Sequence, residues 1–323
     1  MQQDETNGNP EPATSGTFNY FEEEPFVERH GFPHAMIAVL WVAVGFIAFQ
    51  VVGGIIGAIA IISVAPDISN MDAIMAAFTD RLDLVFIGNS FAQLSVIFGI
   101  SLLLVRLHAV KGKRKAFIRW QKGNQTMIVS ALTVVLIVAA QPAVALLGWL
   151  NAQIPVPEFF SEAQNTMLEM ITSFLKTDNA LILGFIHIGL VPSLCEEVMF
   201  RGYLMRALEK SGGIIAALVF SSLLFGAFHL QLTNLIPLAT LGFLLAYVTW
   251  ITDSLIPAMI AHLVNNGGQV IIGSIYPATL DLTQPDNFEL PIYLVVLSFA
   301  VSGVLLYVMM NIKRRTQTSE ALV

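Results

Sequence analysis

The chain is expected to fold as an all-α bundle of about eight membrane-spanning helices. Three observations predict this. Of 323 residues, 55% are hydrophobic and only 12% are charged, against about 25% charged in an ordinary soluble domain. The mean hydropathy is +0.72. Apolar runs of the roughly 20 residues needed to cross a hydrocarbon core of about 30 Å recur along the chain. In lipid only helices and closed barrels satisfy every backbone group, and these runs are too long for barrel strands.

Taken in order, residues 1–33 are polar, acidic and rich in Pro, Gly, Thr and Asn. They read as a disordered cytoplasmic tail and not as a signal peptide. Within it Phe21, Phe26 and Phe32 stand among acids and suit a membrane surface. Residues 34–178 hold the N-terminal membrane helices, with spans at 35–64, 84–105 and 126–149. Gln141-Pro142 predicts a kink in the third, because proline removes a helix hydrogen bond. Residues 158–175 carry an amphipathic pattern (Met167, Leu168, Met170, Ile171, Phe174, Leu175), which predicts an interfacial helix or a cap over a site. Residues 179–275 hold spans at 180–208, 213–231, 235–252 and 256–275. Residues 276–323 hold the last span, 290–311, and a basic tail.

Basic residues orient the bundle. Seven of the 16 Lys and Arg residues fall within 106–122, and Lys313, Arg314 and Arg315 follow the last span. With both termini cytoplasmic, eight spans leave only Arg81 and Lys176 outside. The basic loop then faces anionic lipid. No basic domain points to nucleic acid. The single cysteine, Cys195, rules out an intrachain disulfide and reads as a small buried residue. His187, Asn89, Ser90 and Gln93 read as contacts between helices, and Tyr203 and Phe228 as packing.

Ionisable groups at membrane depth are expensive, about 2.5–3.5 kcal/mol each at a helix centre on insertion scales. Several gather in 196–266. Glu197 and Arg201 are four apart on a helix and can neutralise each other. Glu196 is turned away by about 100° and lacks that partner. Alone, this cluster reads equally as charges at a helix end. His229 alone reads as a satisfied core histidine. His262 and Asn266, four apart, read alone as an inter-helix bond. Geometry joins the first two: Ser211-Gly212-Gly213 breaks the chain with Glu196 about 16 residues before and His229 about 16 after. Antiparallel helices joined there bring a carboxylate and a histidine to one level, a general-base arrangement. His262 and Asn266 lie past the Thr252-Asp253-Ser254 turn, towards the bilayer middle.

The ordered set is specific. Pro192-Ser193-Leu194-Cys195-Glu196-Glu197-Val198-Met199-Phe200-Arg201-Gly202, then Phe225-Gly226-Ala227-Phe228-His229, then His262-Leu263-Val264-Asn265-Asn266 resemble the three motifs of the CAAX-processing and bacteriocin-processing (CPBP, or Abi) intramembrane proteases. The resemblance spans about residues 179–272. It implies an endopeptidase acting on a membrane-embedded or lipidated protein or peptide, and makes 179–275 the catalytic core. Glu196 and His229 would activate a water, His262 and Asn266 would stabilise the oxyanion, and Glu197 and Arg201 would support them. Glu196, His229 and His262 could also hold zinc; metal-free catalysis is favoured, since no His-Glu-x-x-His helix or cysteine pair is present. An ion-coupled transporter would show repeats and broken helices in matching halves, and none is visible between 35–149 and 180–311. A non-catalytic scaffold is the other alternative. The basic loop and the Gly53-Gly54 pair fit a bacterial inner membrane.

Overall fold

The computed structural model describes residues 24–123, 125–177, 179–276 and 288–321. Most of the predicted tail, 1–23, lies outside the described residues. All described secondary structure is helical. The chain runs through α1 (His34–Val64), α2 (Met71–Asp80), α3 (Leu82–His108), α4 (Thr126–Ala152) and α5 (Glu158–Leu175). It continues through two arms, α6 (180–212) and α7 (214–228), then α8 (Leu235–Thr252), α9 (Ile256–Ile275) and α10 (Ile292–Ala321).

Among the described residues, six helices are long and apolar enough to cross a membrane, so the count of eight is not reproduced. The difference has two sources. The helical run Ala180–Phe228 counts once, although Gly213 stands at φ 78°, ψ 177° and reverses it. Only glycine adopts such a backbone at low cost. In α9, His262, Asn265, Asn266 and Gln269 dilute the apolar residues. Pro142 lies inside a continuous α4.

Two large apolar cores form, beside a smaller cluster of Leu82, Phe174, Leu175, Ala180 and Val270. One gathers α1, α3, α6 and α7 around Trp41, Ile97, Phe200, Tyr203 and Phe225. The other gathers α4, α8, α9 and α10 around Leu136, Leu245, Val248 and Met309. Contacts between α7 and α8 and between α6 and α9 join them. Gly226 makes the first possible: a Cβ there would stand 3.0 Å from Leu235 O and 3.1 Å from Ala239 N.

Charged contacts gather at one end. Buried Arg119 bonds Glu209 (2.7 Å) and Asp253 (2.8 Å). Lys210 meets Glu28 at 2.7 Å, and Lys313 Nζ donates to Trp250 O at 2.7 Å. The amide of Ala35 donates to Ser211 Oγ (3.0 Å), capping α1. At the same end Tyr203 is more than packing. Its hydroxyl hydrogen-bonds His108 Nε2 (2.8 Å), and His108 faces His34 with 2.8 Å between their Nδ1 atoms. His187 meets Ser90 at 2.7 Å, the predicted inter-helix contact.

Candidate active site

Glu196 and Glu197 end a buried turn of α6, and the next residues, Val198–Leu204, widen to π-type turns. Such widening often marks functional sites. The two glutamates part as their 100° offset requires. Glu197 Oε1 accepts from Arg201 Nη1 at 2.9 Å, and both side chains are fully buried. Arg201 Nη2 donates to Gly242 O at 3.0 Å, and its guanidinium lies 4.3 Å from the centre of the Phe225 ring. The cation is thus held by a carboxylate, a carbonyl and an aromatic face.

Glu196 looks the other way. Its Oε2 is buried without a hydrogen-bond partner. His229 Nε2 lies 4.0 Å from that oxygen. The two residues are 33 apart in sequence and would stand about 50 Å apart on one straight helix; the reversal at Gly213 brings them together. His229 Nδ1 is 2.9 Å from Phe225 O. A carbonyl only accepts, so Nδ1 carries a proton, and in the neutral imidazole Nε2 presents a lone pair to Glu196.

From α9, His262 Nδ1 reaches Glu197 Oε1 at 2.8 Å. Asn266 Nδ2 lies 3.2 Å from His262 Nε2 and 3.2 Å from Ile188 O. The structure therefore brings together all six predicted residues, with one change of partner: Glu197 is shared by Arg201 and His262. A cleft of about 30 Å³ borders His229, His262, Asn265 and Asn266, with walls of Ile137, Leu241 and Ala261. That is room for a water. A larger cavity of about 410 Å³ lies between α1, α2 and α3, and none of its lining residues belongs to this cluster.

Among the described residues, no three His, Cys, Asp or Glu side chains gather as a metal-holding set. His262 spends one ring nitrogen on Glu197 and has the other covered by Asn266. As placed, Glu196, His229 and His262 do not fit a three-ligand zinc site.

Sequence reasoning missed the clamp on the loop after His229. Buried Asn151 on α4 donates to Leu232 O (2.9 Å) and accepts from Ile236 N (2.7 Å). From α5, Gln164 bonds Thr233, and Met167 Sδ lies 3.6 Å from Gln231 Nε2. The amphipathic helix thus lies over the segment that follows His229. Nothing in the pattern of 158–175 distinguishes this from a helix resting on lipid.

Comparison with known proteins bears on the same region. No curated protein and no solved structure matches the chain. Residues 178–268 match the family model of type II CAAX prenyl endopeptidases, Rce1-like, and this segment contains every residue of the cluster. The chain is thus helical, with six helices among the described residues long and apolar enough to cross a membrane, and over residues 178–268 it is similar to the Rce1-like type II CAAX prenyl endopeptidases.

Proposed function

We propose that the protein is an intramembrane endopeptidase that hydrolyses a peptide bond of a membrane-associated or lipidated protein, using Glu196 and His229 to activate a water. One observation carries the reading. Two proton acceptors, Glu196 Oε2 and His229 Nε2, face each other at 4.0 Å, too far for a bond between them and suited to one water donating to both. That water would point its remaining lone pairs away from the pair, towards an incoming carbonyl carbon. As its oxygen attacks, Glu196 takes the proton; when the C–N bond breaks, the leaving amine receives it.

The negative oxygen formed at the carbonyl needs donors. Asn266 Nδ2–H is one, released from His262 Nε2. His262 offers an Nε2–H after taking up a proton, and Glu197 against its Nδ1 would steady that imidazolium. No step requires a metal. The buried or paired cations gathered at one end of the bundle, Arg119, Lys210 and Lys313, support that end, with both termini, as the cytoplasmic side of a cell membrane.

The test uses the purified protein in liposomes with an internally quenched peptide ending in an S-prenylcysteine and three further residues. Wild type should cut it. Glu196→Ala and His229→Ala should lose about 100-fold or more of the rate while remaining inserted. Cleavage that survives Glu196→Ala refutes the mechanism, and no cleavage by wild type refutes the prenyl-peptide substrate. Membrane proteomics of cells carrying wild type or Glu196→Ala would then name the natural substrate as the peptide that accumulates uncut.

A further inference from the structure

We propose that Gln141, on α4 and outside the matched segment, is a positioning residue of this site, acting through Asn265 to fix the amide of Asn266 and the tautomer of His262. The inference rests on the reading of Glu196, His229, His262 and Asn266 given above.

The helix around Gln141 is continuous but short of one hydrogen bond. Pro142 has no N–H to give. The next amide, Ala143 N–H, donates to Ser298 Oγ on α10 (3.2 Å), and that hydroxyl donates to Ala139 O (2.6 Å), bridging the turn. A side chain inserted into a helix ladder is a recognised way to loosen it. Just before this point the Gln141 amide folds back on its own helix. Its Nε2 donates to Ile137 O (2.9 Å) and to Asn265 Oδ1 (3.2 Å) on α9. An amide exposed at membrane depth is costly unless it bonds another helix, and this one does.

The bonds then run in one direction. Asn265 has its oxygen on Gln141, so its Nδ2 faces Asn266 and donates to Oδ1 at 3.0 Å. Asn266 has its oxygen occupied, so its Nδ2 donates to Ile188 O and His262 Nε2. His262 must then carry its proton on Nδ1, where Glu197 accepts it at 2.8 Å. Amide orientations and tautomers follow from such networks. Here both ends are anchored on backbone carbonyls, which only accept. Reversing the chain would set Gln141 Oε1 against Ile137 O and Asn266 Oδ1 against Ile188 O, two acceptor–acceptor contacts. The relay thus fixes one resting proton arrangement: a lone pair on His262 Nε2, covered by the N–H that the reaction's oxyanion would take over.

The full-length protein, labelled with ¹⁵N at its six histidines, tests this by NMR, with the His262 signals identified by their loss in His262→Gln. Wild-type His262 should carry its proton on Nδ1. Gln141→Glu presents only acceptors to Asn265 and should shift the population towards a ring protonated on Nε2 as well as on Nδ1, where Glu197 still accepts; Gln141→Met should leave both Nε2 states populated. On the prenylated peptide, each variant should lower kcat about tenfold or more with KM unchanged, the signature of misplaced groups and not of lost binding. Adding Asn265→Asp to either should cost far less than it does in wild type, because one chain is already cut. If Gln141→Glu fails to fold, the neutral Gln141→Met carries the test. An unchanged His262 tautomer with unchanged kcat in Gln141→Met overturns the proposal. If wild type and Glu196→Ala cleave alike, the protease reading falls while the tautomer measurement still decides the relay.

Discussion

Arg201→Met should be among the most damaging single changes in the molecule, and replacing its partner as well should undo part of the harm. Arg201 and Glu197 are both fully buried, 2.9 Å apart. Removing the guanidinium leaves the Glu197 carboxylate in the core with only the His262 N–H beside it. An unpaired buried charge of this kind costs about 3–5 kcal/mol. In Glu197→Met/Arg201→Met no charge is stranded. What remains is the Nδ1–H of His262 and the carbonyl of Gly242, neutral groups left unpaired at about 1–3 kcal/mol each, offset by the packing of two apolar side chains where a buried ion pair had been. The double variant should therefore be more stable than Arg201→Met by about 2 kcal/mol, a coupling within the range of contacting residues.

The chain contains its own reporter for this experiment. Cys195 is the single cysteine and has 0% exposure, one residue before Glu196. Thermal unfolding in detergent micelles can be followed as the Cys195 thiol becomes reactive to a fluorogenic maleimide. Midpoints are expected in the order wild type, double variant, Arg201→Met, from high to low. A double variant that loses the sum of the two single losses would refute the argument, since it would mean that the charges act independently. An Arg201→Met midpoint equal to wild type would refute it too.

Three further outcomes are expected. Gly226→Ala should destabilise by about 1–3 kcal/mol, because its Cβ meets backbone atoms of α8 at 3.0–3.1 Å; the same maleimide assay reads the loss, and a wild-type midpoint contradicts the close approach of α7 and α8. Tyr203→Phe removes the hydrogen-bond partner of buried His108 Nε2 and should cost about 1–3 kcal/mol, whereas an unchanged midpoint would mean that Tyr203 only packs. The hydrogen bond from Lys210 holds the Glu28 carboxyl below its ordinary value of 4.5. A depressed carboxyl stabilises the folded state above its ordinary value, and this stabilisation is lost as pH falls through the folded one. Amide protection over residues 26–36, taken relative to the intrinsic exchange rate at each pH, should therefore fall on acidification below about pH 4.5 in wild type, and Glu28→Gln should remove that dependence; a wild-type profile in the variant would show that the contact has no part in it.

How far the sequence could be read depended on the path between residues. Glu197 and Arg201 are one turn apart, and helix periodicity suffices to pair them. Glu196 and His229 needed one more fact, a tight reversal at Ser211-Gly212-Gly213; counting residues to either side then puts them level. His262 lies beyond a further helix. Its depth could be bounded only to a turn or two, and its bond to Glu197, the glutamate already paired with Arg201, was not legible. Counting residues says how deep a side chain lies but not which way its helix is rotated about its axis. For Gln141 the difficulty is greater: Asn265 is 124 positions away, with four helices between, and no periodicity links them. Tyr203 shows the same limit, since burial was predictable and the hydroxyl's partner was not.

The same distinction bears on how the site is built. The matched segment, 178–268, supplies the groups that face the cleft. The groups that orient them come partly from elsewhere: Asn151 clamps the loop behind His229, and Gln141 starts the chain that ends on His262. Both stand on α4. That helix packs against α8, α9 and α10 and carries an apolar face that any span could provide, so these two amides are what distinguish it. A polar side chain at such depth is retained only where something opposes its loss. The opposing factor differs between the two. Asn151 satisfies two backbone groups at the mouth of α8, so its loss should register in stability first. Gln141 satisfies no group that the fold needs, because Ile137 O already has a place in its helix ladder, so its loss should register in turnover first.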